Sequence, residues 1–185
     1  MNWFTIFFSS SIGKKLVMAL TGLFLILFLV VHLIGNLQLL KSDSGQAFNI
    51  YAKVMTSNPI IKVVSYVNYA AILFHVFWSI MITRRNKAAR GNQGYAVVDN
   101  SSHWTSRNMG ILGTFIFIFI VIHLRDFWYE MHWGGIPTAT YEGVEYKNLY
   151  DVVDHVYSEI WFVALYVVSM ALLAFHLFHG FGSAF

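Results

Sequence analysis

The chain has 185 residues, 57% of them hydrophobic and 11% charged, with a mean hydropathy of +0.59, a balance that excludes an ordinary soluble domain and indicates an integral membrane protein. It has no cysteine, which rules out disulfides, thiolate metal sites, cysteine-held iron–sulfur clusters and thioether-linked cofactors. The net charge of +3 resides at the ends of apolar segments, where topology signals sit, so nucleic acid is not an expected partner.

Four apolar segments follow in order: I at roughly Leu16–Leu40, II at Ile60–Thr83, III at Met109–Phe127 and IV at Val156–Phe181. Each approximates the ~20 residues that cross ~30 Å of hydrocarbon as a helix. The expected fold is all-α, an integral membrane bundle with four visible transmembrane helices. No linker or repeat divides residues 1–185, so a single domain is expected. Segment I follows Lys14 and Lys15 as a signal peptide would. Its apolar run is longer than a ~7–15-residue signal core and lacks a small-x-small cleavage site, so it reads as a retained anchor.

Between II and III lie Arg84, Arg85, Lys87, Arg90 and Arg107, whereas Asp126, Glu130, Glu142, Glu145, Asp151 and Asp154 lie between III and IV or at their edges. The positive-inside rule therefore puts the N-terminus and the II–III loop in the cytoplasm. Trp3, Tyr66, Tyr69, Trp104, Trp128, Tyr129, Trp133, Tyr157 and Trp161 fall near span ends and suit interfacial aromatic belts.

Each span carries a histidine: His32, His75, His123 and His176. Intramembrane ionisable residues are costly and point to function. Spans I and III run outward with their histidines near the far end, and spans II and IV run inward with theirs in the inner half. Topology thus predicts an outer pair, His32 with His123, and an inner pair, His75 with His176, about 15 Å apart in depth from the helical rise. Two imidazoles at one level on facing helices are the axial ligand set of a low-spin haem, so two haems b are expected.

Gly22, Gly113 and Ser65 stand ten residues before His32, His123 and His75, on nearly the same helix face and at the depth of the other pair. They read either as clearance for the second haem or as close helix packing. His179, three residues after His176, is an alternative ligand or a propionate partner. His103, His132 and His155 fall in loops or at interfaces, where solvated histidine is the default, with His132 also a candidate proton carrier.

The segments LFLVVHLIGN, AILFHVFWSIMI, FIVIHLRDFW and AFHLFHGFGS, with the loop GQAFNIYAKVMTSNP carrying Ala47, Phe48, Asn49, Met55 and Pro59, resemble the membrane-anchor cytochrome b subunit of succinate dehydrogenases and fumarate reductases. Within it, they resemble the single-polypeptide, two-haem type. The resemblance spans nearly the whole chain. It implies that His75 and His176 hold the haem nearer the catalytic subunits and His32 and His123 the one nearer the quinone. It further implies a flavoprotein subunit with FAD and an iron–sulfur subunit docked on the cytoplasmic face of a bacterial inner membrane, and electron transfer through both haems to a quinone, with menaquinone expected. Reduction on the outer side would work against or with a potential of ~2.3 kcal/mol per charge per 100 mV.

For the quinone, Asn36, Gln38, Asp126 and Tyr129 offer polar groups at the outer level. Arg125 there reads first as a propionate contact. Lys14, Lys15, Arg84 and Arg107 form a cytoplasmic basic rim that serves topology or meets an acidic partner subunit. The family has a further helix after the fourth histidine helix, whereas this chain ends at Phe185; either a truncation or absence of that helix is expected. Some fumarate-reducing relatives carry a glutamate two residues before the fourth-helix ligand, where this chain has Ala174, which favours succinate oxidation. The alternatives are a cytochrome b anchor of a hydrogenase or formate dehydrogenase, or a haem-free hydroxylase, desaturase or transporter. One histidine per helix and the AFN loop argue against the former. The absence of dense histidine clusters and of intramembrane carboxylates argues against the latter.

Overall fold

Helix α1 (Trp3–Ser9) turns sharply into α2 (Ser11–Asn36) at Ser10, whose hydroxyl accepts a hydrogen bond from the Gly13 amide at 2.9 Å and caps α2. A single 3-10 turn, Leu37–Leu40, leads to α3 (Gln46–Ser57) and then α4 (Pro59–Arg90). Pro59 suits the first helical position because its missing N–H would have no partner there. The Asn58 side chain accepts from the amides of Ile60 and Ile61 at 2.9 and 3.3 Å. The remaining elements are α5 (Trp104–His123), a π turn at Leu124–Tyr129, α6 (Glu130–Trp133), the strands β1 (Thr138–Tyr141) and β2 (Val144–Lys147), α7 (Leu149–Ser158) and α8 (Ile160–Gly182). This computed structural model describes residues 2–91 and 104–185; His103 lies outside them.

Among the described residues four stretches are long and apolar enough to cross a membrane: Ser11–Leu40, Pro59–Ala89, Trp104–Trp133 and Ile160–Gly182. The protein is a multi-pass, predominantly helical membrane bundle. Two boundaries differ from the sequence expectation. Span III does not stop at Phe127, because the π turn carries the helix on to Trp133. Span IV does not begin at Val156, because Glu159 is extended (φ −88°, ψ 112°) and separates α7 from α8. The reason is amphipathicity: Leu149, Val152 and Val153 of α7 pack on a local core, whereas α8 is apolar on every face.

Large apolar side chains such as Leu20, Leu27, Phe77 and Phe178 are exposed and lie off the central cavity. A surface of this kind belongs in lipid, where helices satisfy their own backbone groups. Helix α2 packs most extensively on α4, and α5 on α8; contacts of α2 with α8 and of α4 with α5 close the ring. Helix α2 therefore faces α5 across one diagonal, and α4 faces α8 across the other.

One end of the ring is capped. Phe48, Ala52 and Leu149 form a buried core with Leu39, Met131 and Ile136 against it. Asn49, 1% exposed, pins the cap: its amide nitrogen donates to Tyr141 Oη at 3.0 Å and Asn148 Oδ1 at 2.9 Å, and its Oδ1 accepts from the Tyr150 amide at 3.0 Å. Strands β1 and β2 pair antiparallel, Thr138 opposite Lys147 and Tyr141 opposite Val144. Glu142 and Gly143, both at positive φ (51° and 78°), make the tight turn whose twist suits a hairpin.

Candidate functional site

The interior of the ring is a cavity of about 3490 Å³ that reaches from the basic end of the bundle to the cap. That is several times the ~300–1,000 Å³ of a small-molecule pocket. All four span histidines stand on its wall, together with Gly22 and Gly113.

At the cap end, the rings of His32 and His123 approach to 5.7 Å between centroids with planes at 89°. Each is backed by a phenylalanine one turn earlier on its own helix. Phe28 stacks on His32 at 5.4 Å, and Phe119 on His123 at 5.8 Å, as the i, i+4 spacing requires. His123 Nδ1 lies 3.4 Å from Tyr166 Oη.

Toward the basic end, His75 of α4 leans on α2, and His176 of α8 leans on α5. A Cβ built on Gly22 would lie 3.7 Å from His75 Cε1, and one built on Gly113 would lie 3.7 Å from His176 Cε1. Each glycine thus sits at the level of one pair and ten residues before a histidine of the other. The rise of the helix then separates the two levels by about 15 Å. His75 Nδ1 is 3.0 Å from Thr21 Oγ1, while His176 Nδ1 is buried without a hydrogen-bond partner.

The remaining sequence candidates divide by position. Asn36 and His179 are on the cavity wall; Gln38, Arg125, Asp126 and Tyr129 are not. Arg125 is directed outward, its side chain 76% exposed, and pairs at 3.0 Å with Asp126, which is buried. The π turn beginning at Leu124 accounts for this, since the wider turn changes which residues face inward after His123. Lys14, Lys15, Arg84, Arg85 and Arg107 line the basic end of the cavity. His132 is exposed and donates from Nδ1 to the Trp128 carbonyl at 2.8 Å; His155 is exposed on α7. Beside the cap, burial pushes the Tyr157 phenol above its ordinary value.

Two residues beside the span histidines escaped the sequence reading. Tyr166 is buried against His123 and stands ten residues before His176, the spacing that singled out Gly22, Gly113 and Ser65. Thr21 precedes Gly22 and gave no signal of its own, because threonine in a membrane helix ordinarily bonds its own backbone.

The donor set favours a metal that brings its own equatorial ligands. Each level presents two imidazoles, and among the described residues no group of three or more His, Cys, Asp or Glu could hold a metal ion. A protein-only zinc site needs three or four ligands, whereas a haem iron needs only the two axial ones. The paired imidazoles on one cavity wall, the clearance at Gly22 and Gly113, and the cavity volume fit two such groups. No protein-family model, curated protein or solved structure matches this chain, so its own residues carry the functional conclusion.

Proposed function

We propose that this chain is a two-haem membrane cytochrome b that serves as the anchor subunit of a succinate:quinone oxidoreductase. The observation that carries the haem part is the pair of histidine levels on one cavity, the basic-end level faced at its own depth by Gly22 and Gly113 of the two helices that carry the cap-end histidines. The assignment to succinate and menaquinone chemistry rests on the sequence resemblance.

When bound, the haems would supply one-electron transfer along the bundle. The chain's own residues do the rest. His75 and His176 would hold the basic-end iron from α4 and α8, and His32 and His123 would hold the cap-end iron from α2 and α5. The apolar walls keep water from the ring edges, and hydrophobic surroundings of this kind help set redox potential. Lys14, Lys15, Arg84, Arg85 and Arg107 on the basic-end wall are placed to neutralise carboxylates such as haem propionates. An iron–sulfur subunit would dock on that cytoplasmic end. At the cap end, Asn36 is the wall residue among the proposed quinone contacts, able to hydrogen-bond a quinone oxygen as it takes up two electrons and two protons.

The test is a dithionite-reduced minus oxidised spectrum of the membrane protein, with a pyridine haemochrome count, followed by purification through a tag on this chain. Two b-type haems per chain and co-purification of a flavoprotein and an iron–sulfur subunit with succinate-dependent naphthoquinone reduction are expected. Absence of haem from the intact complex would overturn the cytochrome function. Two haems with different partner subunits would retain the cytochrome and overturn the succinate assignment.

A further inference from the structure

The two helix pairs of the ring repeat one arrangement around the basic-end histidines, with a polar difference at the residue before each glycine. In the first, His75 of α4 lies against Thr21 and Gly22 of α2; in the second, His176 of α8 lies against α5, where Leu112 and Gly113 stand at the corresponding positions. The correspondence is close: both glycines would place a Cβ 3.7 Å from the facing Cε1, both precede a histidine by ten residues, and both of those histidines are preceded at four residues by a stacked phenylalanine. At the variable position, however, α2 offers a hydroxyl and α5 a fully buried leucine, 2% exposed.

The hydroxyl has a defined direction. Thr21 Oγ1 has one hydrogen, and backbone carbonyl oxygens lie within reach, Val17 O at 2.8 Å and Met18 O at 3.1 Å. In the two-haem function Nε2 is the ligating nitrogen, so the neutral imidazole carries its proton on Nδ1 and donates to Thr21 Oγ1 at 3.0 Å. The Thr21 hydrogen is then directed to a carbonyl of α2, which only accepts. The relay runs from His75 Nδ1–H to Thr21 Oγ1 and from Thr21 O–H to the Val17 carbonyl. A ligating histidine whose second nitrogen donates in this way is fixed in tautomer and orientation and is a more basic ligand.

We infer that Thr21 is a positioning residue for His75, so that the basic-end haem is held by one hydrogen-bonded and one unsupported axial histidine, and that this bond lowers the potential of that haem. The inference rests on the two-haem function proposed above. The stronger donor stabilises the more highly charged ferric iron, so loss of the bond favours the reduced state.

The test uses the full-length membrane protein with its haems and reads both midpoint potentials by redox titration, together with the haem count. Thr21→Val preserves the shape of the side chain and removes the relay. It is expected to move the basic-end midpoint positive, leave the cap-end midpoint in place and retain two haems. Thr21→Ser restores the hydroxyl and is expected to restore the midpoint. Leu112→Thr offers His176 the missing acceptor and is expected to move the same midpoint negative, a readout that does not depend on the valine variant folding. Two haems with unchanged midpoints in Thr21→Val would overturn the role of Thr21 and leave the two-haem function standing. A shift in Thr21→Val that Thr21→Ser fails to reverse would also overturn it, as a packing effect. A wild-type chain without haem would overturn both.

Discussion

The cap and the bundle interior solve the problem of burial in opposite ways. In the cap, Phe48, Ala52 and Leu149 close on each other, and the polar group at the centre, Asn49, has its amide nitrogen and its oxygen partnered. In the bundle the helices instead surround a cavity of about 3490 Å³, and buried polar atoms such as His176 Nδ1 lack a partner. Protein interiors are ordinarily close-packed, and buried polar atoms are ordinarily hydrogen-bonded. The region that departs from both rules, beside one that obeys them, is the one the proposed haems would fill.

The most severe way to break this contrast is to remove a ligand. His75→Ala or His176→Ala is expected to reduce the haem count from two to one per chain with loss of the basic-end spectrum. His32→Ala or His123→Ala is expected to lose the cap-end one. Pyridine haemochrome assays and low-temperature difference spectra resolve the two cases. If a His32 variant lost the same spectral species as a His75 variant, the crossed pairing of α2 with α5 and α4 with α8 would be wrong.

A graded substitution at the glycines sharpens the same comparison. A Cβ at Gly22 or Gly113 meets the facing imidazole at 3.7 Å, an ordinary van der Waals distance, so Gly22→Ala and Gly113→Ala should retain both haems. Leucine extends past that contact into the space before the imidazole, and Gly22→Leu or Gly113→Leu is expected to expel the basic-end haem while leaving the cap-end one. Were these glycines there only for helix packing, leucine would instead lower thermal stability with no selective loss of one haem.

In the cap the corresponding experiment should spare the haems. Asn49→Ala removes bonds to Tyr141, Asn148 and the Tyr150 amide in a site 1% exposed. Leaving buried groups unpaired costs roughly 1–3 kcal/mol each. A loss of about 3 kcal/mol is expected, seen as faster amide exchange in α3 and α7 with an unchanged haem count. Loss of haem from Asn49→Ala would mean that cap and cavity form one cooperative unit.

How much of this was legible in the sequence follows the same division. Span number and histidine depth depend on hydropathy, charge asymmetry and helical rise, all local quantities, and so His32 could be matched with His123 before any contact was known. The clearance at Gly22 and Gly113 was visible as spacing, though spacing alone left helix packing as an equal explanation. The cap was not legible. Asn49 carried a motif without revealing that its partners lie about a hundred residues away at Asn148 and Tyr150. The YEGVEYK hairpin was masked by its acidic residues, which topology already used. The π turn after His123 has no proline or glycine to announce it, and Arg125 and Asp126 were accordingly placed by a regular helix that the chain does not continue.

The smallest expected effect concerns the open end of the cavity. Arg84 and Arg85 are exposed on the last turns of α4 and also line the cavity, so they are available both to a partner's acidic surface and to a carboxylate inside. Individually exposed ion pairs contribute about 0–1 kcal/mol, but rim charges act on encounter and register across an interface. Arg84→Glu combined with Arg85→Glu is expected to lower the yield of the assembled complex several-fold and make it more sensitive to salt, with the haem count unchanged. Subunit yield measured by tag purification at two ionic strengths checks this. An unchanged yield accompanied by weaker haem retention would assign the pair to the cavity, and would extend the contrast with the cap to the basic end of the bundle.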